Sequence, residues 1–183
     1  MILQGDKIAL RPMEPKEVSL IHVWANNPDV MPFWYGEKKT LEQIKGDWRR
    51  HYFSDNNPNK GRCFAIFKGK NPVGKPIGMI NYNRIDRDNR SVDIDMIIGQ
   101  TKDWGQGYGT DALRTFARYL FDRFDLNRIW LGTYTYNKRA IRAYEKAGFK
   151  KEGVLREDAW VASKFVDTVV LSLLRREFFQ GAE

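Results

Sequence analysis

The chain has little of what would anchor a metal, a disulfide or a membrane. Cys63 is its one cysteine, so no internal disulfide can form, which fits a reducing cytoplasm. His22 and His51 are its two histidines. They lie far apart in sequence with no cysteine cluster near either, so no metal site is expected. No apolar run reaches the roughly 18 residues that a membrane span needs, and no signal-peptide apolar core is present. No repeat recurs at solenoid periods, and no long block of like charge suggests a disordered basic arm.

What is present suits one folded domain. At 183 residues, with 42% hydrophobic and 14% aromatic residues, there is ample core material for a single domain over residues 1–183. Lys and Arg number 31 against 23 Asp and Glu, a formal charge of +8. That balance favours anionic partners such as a nucleotide-like cofactor, nucleic acid or an acidic surface.

The most informative stretch is Asp103-Trp104-Gly105-Gln106-Gly107-Tyr108-Gly109-Thr110. The apolar run Ile94, Met96, Ile97, Ile98 precedes it. Leu113, Phe116, Ala117, Leu120, Phe121 and Phe124 follow at the steps of an amphipathic helix. The order is strand, glycine turn, helix. Glycines at alternate positions let backbone approach a ligand, and the helix start offers unpaired N–H groups to a phosphate or pyrophosphate.

The rest of the chain reads as follows. Lys7 to Arg11 alternate and stop at Pro12, a short strand. Pro15 opens a helix with Val18, Ile21, His22 and Trp24 or Ala25 inward, ended by Asn26-Asn27-Pro28. Val30-Met31-Pro32-Phe33-Trp34-Tyr35-Gly36-Glu37 puts three aromatics in succession into a loop, which suits the wall of a cleft with Glu37 as a cation contact. Thr40 with Gln43 forms a capping box before Leu41, Ile44 and Trp48. Asp55 to Gly61 is a loop. Cys63 to Phe67, Ile77 to Ile85 and Ser91 to Ile98 form a meander, the last two joined by the turn Asp86-Arg87-Asp88-Asn89. Asp93 and Asp95 share one face of the last strand, with Val92, Ile94 and Met96 on the other. The alternation breaks at Ile97-Ile98, which predicts a bulge or full burial. Ile129 to Tyr134 is a strand parallel to its predecessor across the intervening helix. Asn137 caps a helix closed by Gly148, and Phe149 begins another strand. A closing hairpin turns at Ala162-Ser163 and returns through the β-branched run Lys164 to Leu174. The fold class is mixed α/β (α+β).

Three segments at this order and spacing resemble the GNAT superfamily of acetyl-CoA-dependent N-acetyltransferases. They are Leu10-Arg11-Pro12, Trp104 to Ala112, and Asn137 to Phe149 with Tyr144 and Gly148 inside it. The likeness covers nearly the whole chain. It implies a single domain with a mainly antiparallel central sheet, one parallel step after the cofactor turn, and flanking helices. It also implies that acetyl-CoA is held by Ile97, Ile98, Trp104, Gly105, Gln106, Gly107, Tyr108, Gly109, Thr110, Asn137, Ala140, Tyr144 and Lys146. The family often carries Arg or Gln where this chain has Trp104. The start of the chain is similar to the branch with spermidine N-acetyltransferases and ribosomal-protein N-terminal acetyltransferases, and Asn26 to Glu37 is similar to the spermidine enzymes. Those enzymes tend to have adjacent acids where this chain has Gly36-Glu37, followed by more acid where it has Lys38-Lys39.

The resemblance implies direct acetyl transfer to an amine and a homo-oligomer. An alkyl ammonium of pKa ~10.4 costs roughly 4.6 kcal/mol to neutralise at pH 7, so a proton acceptor is expected. Candidates are Asp93, Asp95 and Glu37. Tyr144 matches the family's usual proton donor to the departing thiolate. Phe33, Trp34, Tyr35 and Glu37 are the expected substrate contacts. A polyamine is the first expected acceptor; a protein N-terminus and an aminoglycoside-like amine remain open. A dinucleotide-binding oxidoreductase would need its glycine turn early in a parallel sheet with an acid ~20 residues on; here the turn sits late, after an antiparallel meander, and Asp122 and Asp125 fall inside or at the end of the helix. An RNA-binding module would leave the glycine turn without a task, so nucleic acid is not an expected partner.

Overall fold

A computed structural model describes residues 1–34, 36–53 and 62–180. The expected loop from Asp55 to Gly61 and the aromatic Tyr35 lie outside the described residues.

The N-terminal hairpin is β1 (Leu3–Gln4) and β2 (Ile8–Pro12). After a short turn at Pro15–Glu17 comes α1 (Val18–Ala25), which buries Val18, Ile21, Trp24 and Ala25. His22, expected on that inner face, is only half-buried. The Thr40 hydroxyl accepts from Gln43 N at 3.2 Å and Gln43 Oε1 accepts from Thr40 N at 2.8 Å. This box starts α2 (Leu41–Trp48), whose buried residues are Ile44 and Trp48. The meander is β3 (Arg62–Lys68), β4 (Gly78–Asp86) and β5 (Ser91–Ile98). There follow α3 (Tyr108–Arg123), β6 (Arg128–Tyr134), α4 (Lys138–Ala147), the hairpin of β7 (Lys150–Val161) and β8 (Lys164–Leu174), and α5 (Arg175–Gln180).

The eight strands form one sheet in the order β1-β2-β3-β4-β5-β6-β8-β7. The expected parallel step is present between β5 and β6, and the other neighbouring pairs are antiparallel. Alternation along β3 shows how both faces are covered. Phe64 and Ile66 join a core with Leu113, Phe116 and Leu120 of α3, whereas Cys63, Ala65 and Phe67 join one with Ile21, Trp24, Ile44 and Trp48 of α1 and α2. A strand buried on both sides reads as a continuous apolar run, as Cys63 to Phe67 does.

One pairing detail makes the site. β5 and β6 pair only from Ser91↔Arg128 to Asp93↔Trp130, whereas β5 stays paired with β4 to Gly78↔Ile98 and β6 with β8 to Tyr134↔Thr168. Beyond Asp93 the parallel strands part and open a cleft. The sequence pattern suggested a bulge or full burial at Ile97-Ile98; the structure corrects both. The ladder to β4 is regular there, the irregularity lies between Tyr82 and Ile85, and Ile97 and Ile98 are half-buried. The cause is the splay, which frees one strand edge at the cleft.

The candidate acetyl-transfer cleft

The cleft is a cavity of about 600 Å³ between the parted strands, roofed by α4 and by the loop after α1. The glycine turn stands at its open end. Gly105 and Gly107 have φ of 73° and 85°, a region that favours glycine, and Gly107 caps α3. A Cβ on Gly105 would meet nothing within 4 Å, so the backbone there faces open space. Gly109 serves packing instead: a Cβ there would lie 3.1 Å from Met96 Cε. The turn is held from behind. Trp104 Nε1 donates to Ile98 O at 2.8 Å, and Lys7 Nζ to Gln106 O at 3.2 Å. The Asp111 carboxylate in the first turn of α3 accepts from the backbone N–H of Asp6, Lys7 and Ile8 at 3.2, 2.7 and 3.1 Å, tying the N-terminal hairpin to the helix start. Buried Asp103 pairs with Lys68 at 2.5 Å.

Of the residues expected at the cofactor, Ile97, Ile98, Trp104, Gly105, Gly107, Tyr108, Gly109, Thr110, Asn137, Ala140, Tyr144 and Lys146 line the cavity. Gln106 does not; it meets Lys7 through its carbonyl. Asn137 turns inward and is buried. Its Oδ1 accepts from Ala140 N at 3.3 Å, the helix cap, and its Nδ2 donates to Thr133 Oγ1 at 3.0 Å.

Thr133, held in place by that bond, lines the same cavity as Tyr144. Tyr144 is 6% exposed, and burial, reinforced by the charge of Asp95, pushes its pKa well above the ordinary tyrosine value. It is a neutral donor throughout the physiological range.

Asp93 and Asp95 also line the cavity. Asn83 Nδ2 donates to Asp93 Oδ2 at 2.5 Å and to Asp95 Oδ2 at 2.9 Å, and Asn81 Nδ2 lies 3.4 Å from Asp95 Oδ2. The Tyr52 hydroxyl extends the network to Asn83 Oδ1 at 2.8 Å. Among the described residues neither carboxylate has a basic partner. Burial, with the neighbouring Asp95 charge, raises the pKa of Asp93 despite the Asn83 hydrogen bond.

The aromatic loop divides. Phe33 and Trp34 line the cavity, braced by Tyr136, whose hydroxyl donates to Pro32 O at 2.6 Å and whose ring is 5.7 Å from that of Phe33. Glu37 does not join them. It is exposed at the surface and pairs with Lys39 at 2.6 Å. The adjacent Lys38-Lys39, which departs from the spermidine-enzyme pattern, gave the sequence-level signal for this.

Residue-by-residue reading passed over Arg139, Arg142, Met96, Trp130 and Thr168, which the structure brings to the same cavity. Arg139 and Arg142 stand with Lys146 at helical steps of α4, and that spacing was the available signal. Met96 and Thr168 are brought in by the splay and carry none.

A GNAT acetyltransferase domain model matches residues 7–150. The chain belongs to the GNAT acetyltransferases. It is 23% identical over 180 residues to a spermidine N(1)-acetyltransferase of Vibrio cholerae, covering 98% of this chain and 99% of that one. It is 29% identical to a Bacillus subtilis protein provisionally named a ribosomal N-acetyltransferase, over 95% and 94% of the two chains. The crystal structure of the Vibrio cholerae spermidine N-acetyltransferase with CoA and spermine superposes with a TM-score of 0.79 at 25% identity, over 94% and 98% of the chains. This GNAT protein is an amine N-acetyltransferase with acetyl-CoA as cosubstrate. Among the described residues no metal-ligating group gathers, and no helix is long and apolar enough to cross a membrane.

Proposed function

We propose that the acceptor is a primary alkyl amine of the polyamine class, and that Asp93, Asp95 and Tyr144 carry the proton transfers. The observation behind this reading is the pair of cleft carboxylates without a basic partner, facing the cavity that Tyr144 also lines. Acetyl-CoA supplies the activated acyl group. The chain must take a proton from the ammonium and deliver one to the departing sulfur.

Asp93 suits the first task, directly or through a water. Its raised pKa brings it nearer the working pH, where a base combines the ionised form with useful basicity. Asp95, on the same face, keeps negative charge beside the amine. Tyr144 suits the second task, because it lines the cavity and burial keeps its proton. The glycine turn and the start of α3 would hold the phosphates, with Arg142 and Lys146 supplying charge along α4. A single buried cysteine fits a cytoplasmic enzyme.

A second reading is N-terminal acetylation of a ribosomal or other protein, favoured by the Bacillus subtilis relative and the +8 charge. The test is thiol release from acetyl-CoA with spermidine, spermine, aminoglycosides, and peptides starting with Ala or Ser. Turnover with polyamines alone supports the first reading. Turnover with peptides alone moves the assignment to the second, and turnover with aminoglycosides alone rejects both.

A further inference from the structure

Arg139 lies in the cleft in an unusual setting. Its guanidinium is 3.1 Å from the centroid of the Trp104 ring and 5.5 Å from that of Phe33. It is half-buried, lines the cavity, and has no acidic partner among the described residues. It also stands in the first turn of α4, where the helix dipole adds positive potential.

Two consequences follow for an amine acceptor. An ammonium lying over the aromatic wall would gain from the ring faces, but on Phe33 and Trp104 an internal cation already stands there. It would also meet the repulsion of that cation in a partly desolvated place, where charge is poorly screened. Strand β5 brings the reverse sign to the same cavity, with Asp93 and Asp95 in their asparagine network. The cleft is therefore polar in charge, positive at the aromatic wall and negative along β5.

We propose that Arg139 is a specificity-determining residue that closes the aromatic wall to a second positive charge, so that a diamine acceptor lies with its distal ammonium toward Asp95 while Asp93 serves the reacting nitrogen. This inference rests on the amine-acceptor reading above. It departs from the sequence-based expectation that the aromatic loop itself receives the polyamine.

The experiment compares 1,4-diaminobutane with pentylamine, equal in length and differing by an ammonium in place of the terminal methyl group, at saturating acetyl-CoA. The ratio of kcat/KM for the two amines is measured for the unaltered protein, Arg139→Gln and Asp95→Asn. Arg139→Gln is expected to raise the diamine preference about tenfold, the Coulomb factor for unit charges roughly 6 Å apart at an effective dielectric of roughly 40. Asp95→Asn is expected to lower it. An unchanged ratio in Arg139→Gln overturns the proposal. If the KM for acetyl-CoA also rises tenfold, Arg139 serves a cosubstrate phosphate instead. If the unaltered protein turns over neither amine, the polyamine-class reading of the acceptor fails. The same ratio is then read from equilibrium binding of both amines to the CoA-bound protein. A tenfold shift there keeps the charge selectivity, and no shift or no binding overturns it.

Discussion

Replacing Tyr144 by phenylalanine removes one oxygen atom from a buried ring. Tyr144 packs in the core beneath α4 with Ala147 and Phe149, and the ring of phenylalanine fills the same space. What is lost is the hydroxyl donor that the buried ring brings to the cavity. A hydrogen bond to a charged acceptor is worth about 1.5–3 kcal/mol, which alone slows departure of the thiolate by roughly 10- to 150-fold. Full proton transfer to sulfur raises the loss to roughly 10²–10⁴-fold in kcat, the scale of a lost general acid. The KM for acetyl-CoA changes little, because the glycine turn and the Arg142 and Lys146 side chains are untouched. Stability falls by about 0.5–1.5 kcal/mol, the net worth of one hydrogen bond.

The assay is thiol release at saturating acetyl-CoA with the best amine of the panel, alongside a thermal unfolding curve. The pH profile adds a control. Burial holds the tyrosine proton above its ordinary pKa of ~10, so the profile below that pH should have the same shape in both proteins. An unchanged kcat in a folded Tyr144→Phe protein removes Tyr144 from the mechanism. A fall in kcat matched by an equal rise in the KM for acetyl-CoA would make it a binding residue only.

Other substitutions test other parts of the argument. Asp93 has a raised pKa when folded, so the folded state binds its proton more tightly than the unfolded chain does, and stability falls as pH rises through that window. Asp93→Asn should therefore raise Tm at pH 7, lose that gain below pH ~3.9, and lower kcat/KM for amines; a lower Tm at pH 7 refutes the burial argument. Glu37→Gln should leave the order of acceptors unchanged, because Glu37 faces Lys39 rather than the cavity, and a marked change in KM for polyamines would restore Glu37 to the site. Gly99→Ala should cost about 1–3 kcal/mol in urea unfolding, because a Cβ there would stand 2.1 Å from Trp24 Cδ1; an unchanged midpoint would mean that α1 shifts without cost.

Local rules carried much of this fold. The capping box at Thr40, the asparagine cap at Asn137, the glycine at Gly148 and the closing turn at Ala162-Ser163 are each decided by a few neighbouring residues, and each stands where the pattern puts it. The glycine turn was legible for the same reason. The parting of β5 from β6 was not. It depends on β6 following β8 while β5 follows β4, a competition between pairings that no short stretch records. Met96 and Thr168 reach the cavity through that parting, so no local pattern marks them.

The aromatic loop shows why residue types alone misplace a binding wall. A run of aromatics ending in an acid reads as a cation site, and that reading assigns Phe33, Trp34 and Glu37 one shared task. The fold separates them. Phe33 and Trp34 reach the cavity, Glu37 is taken by a lysine two residues on, and the face of Phe33 is shared with Arg139, more than a hundred residues away. The acids that line the cavity come instead from β5, as Asp93 and Asp95. The net charge of +8 hides this division, because it sums over a surface whereas an incoming amine meets one wall at a time. Selectivity in such a cleft follows from which wall each charge stands on. On the proposal made above, one half-buried arginine without an acidic partner among the described residues weighs more in the choice of acceptor than the rest of the basic surface.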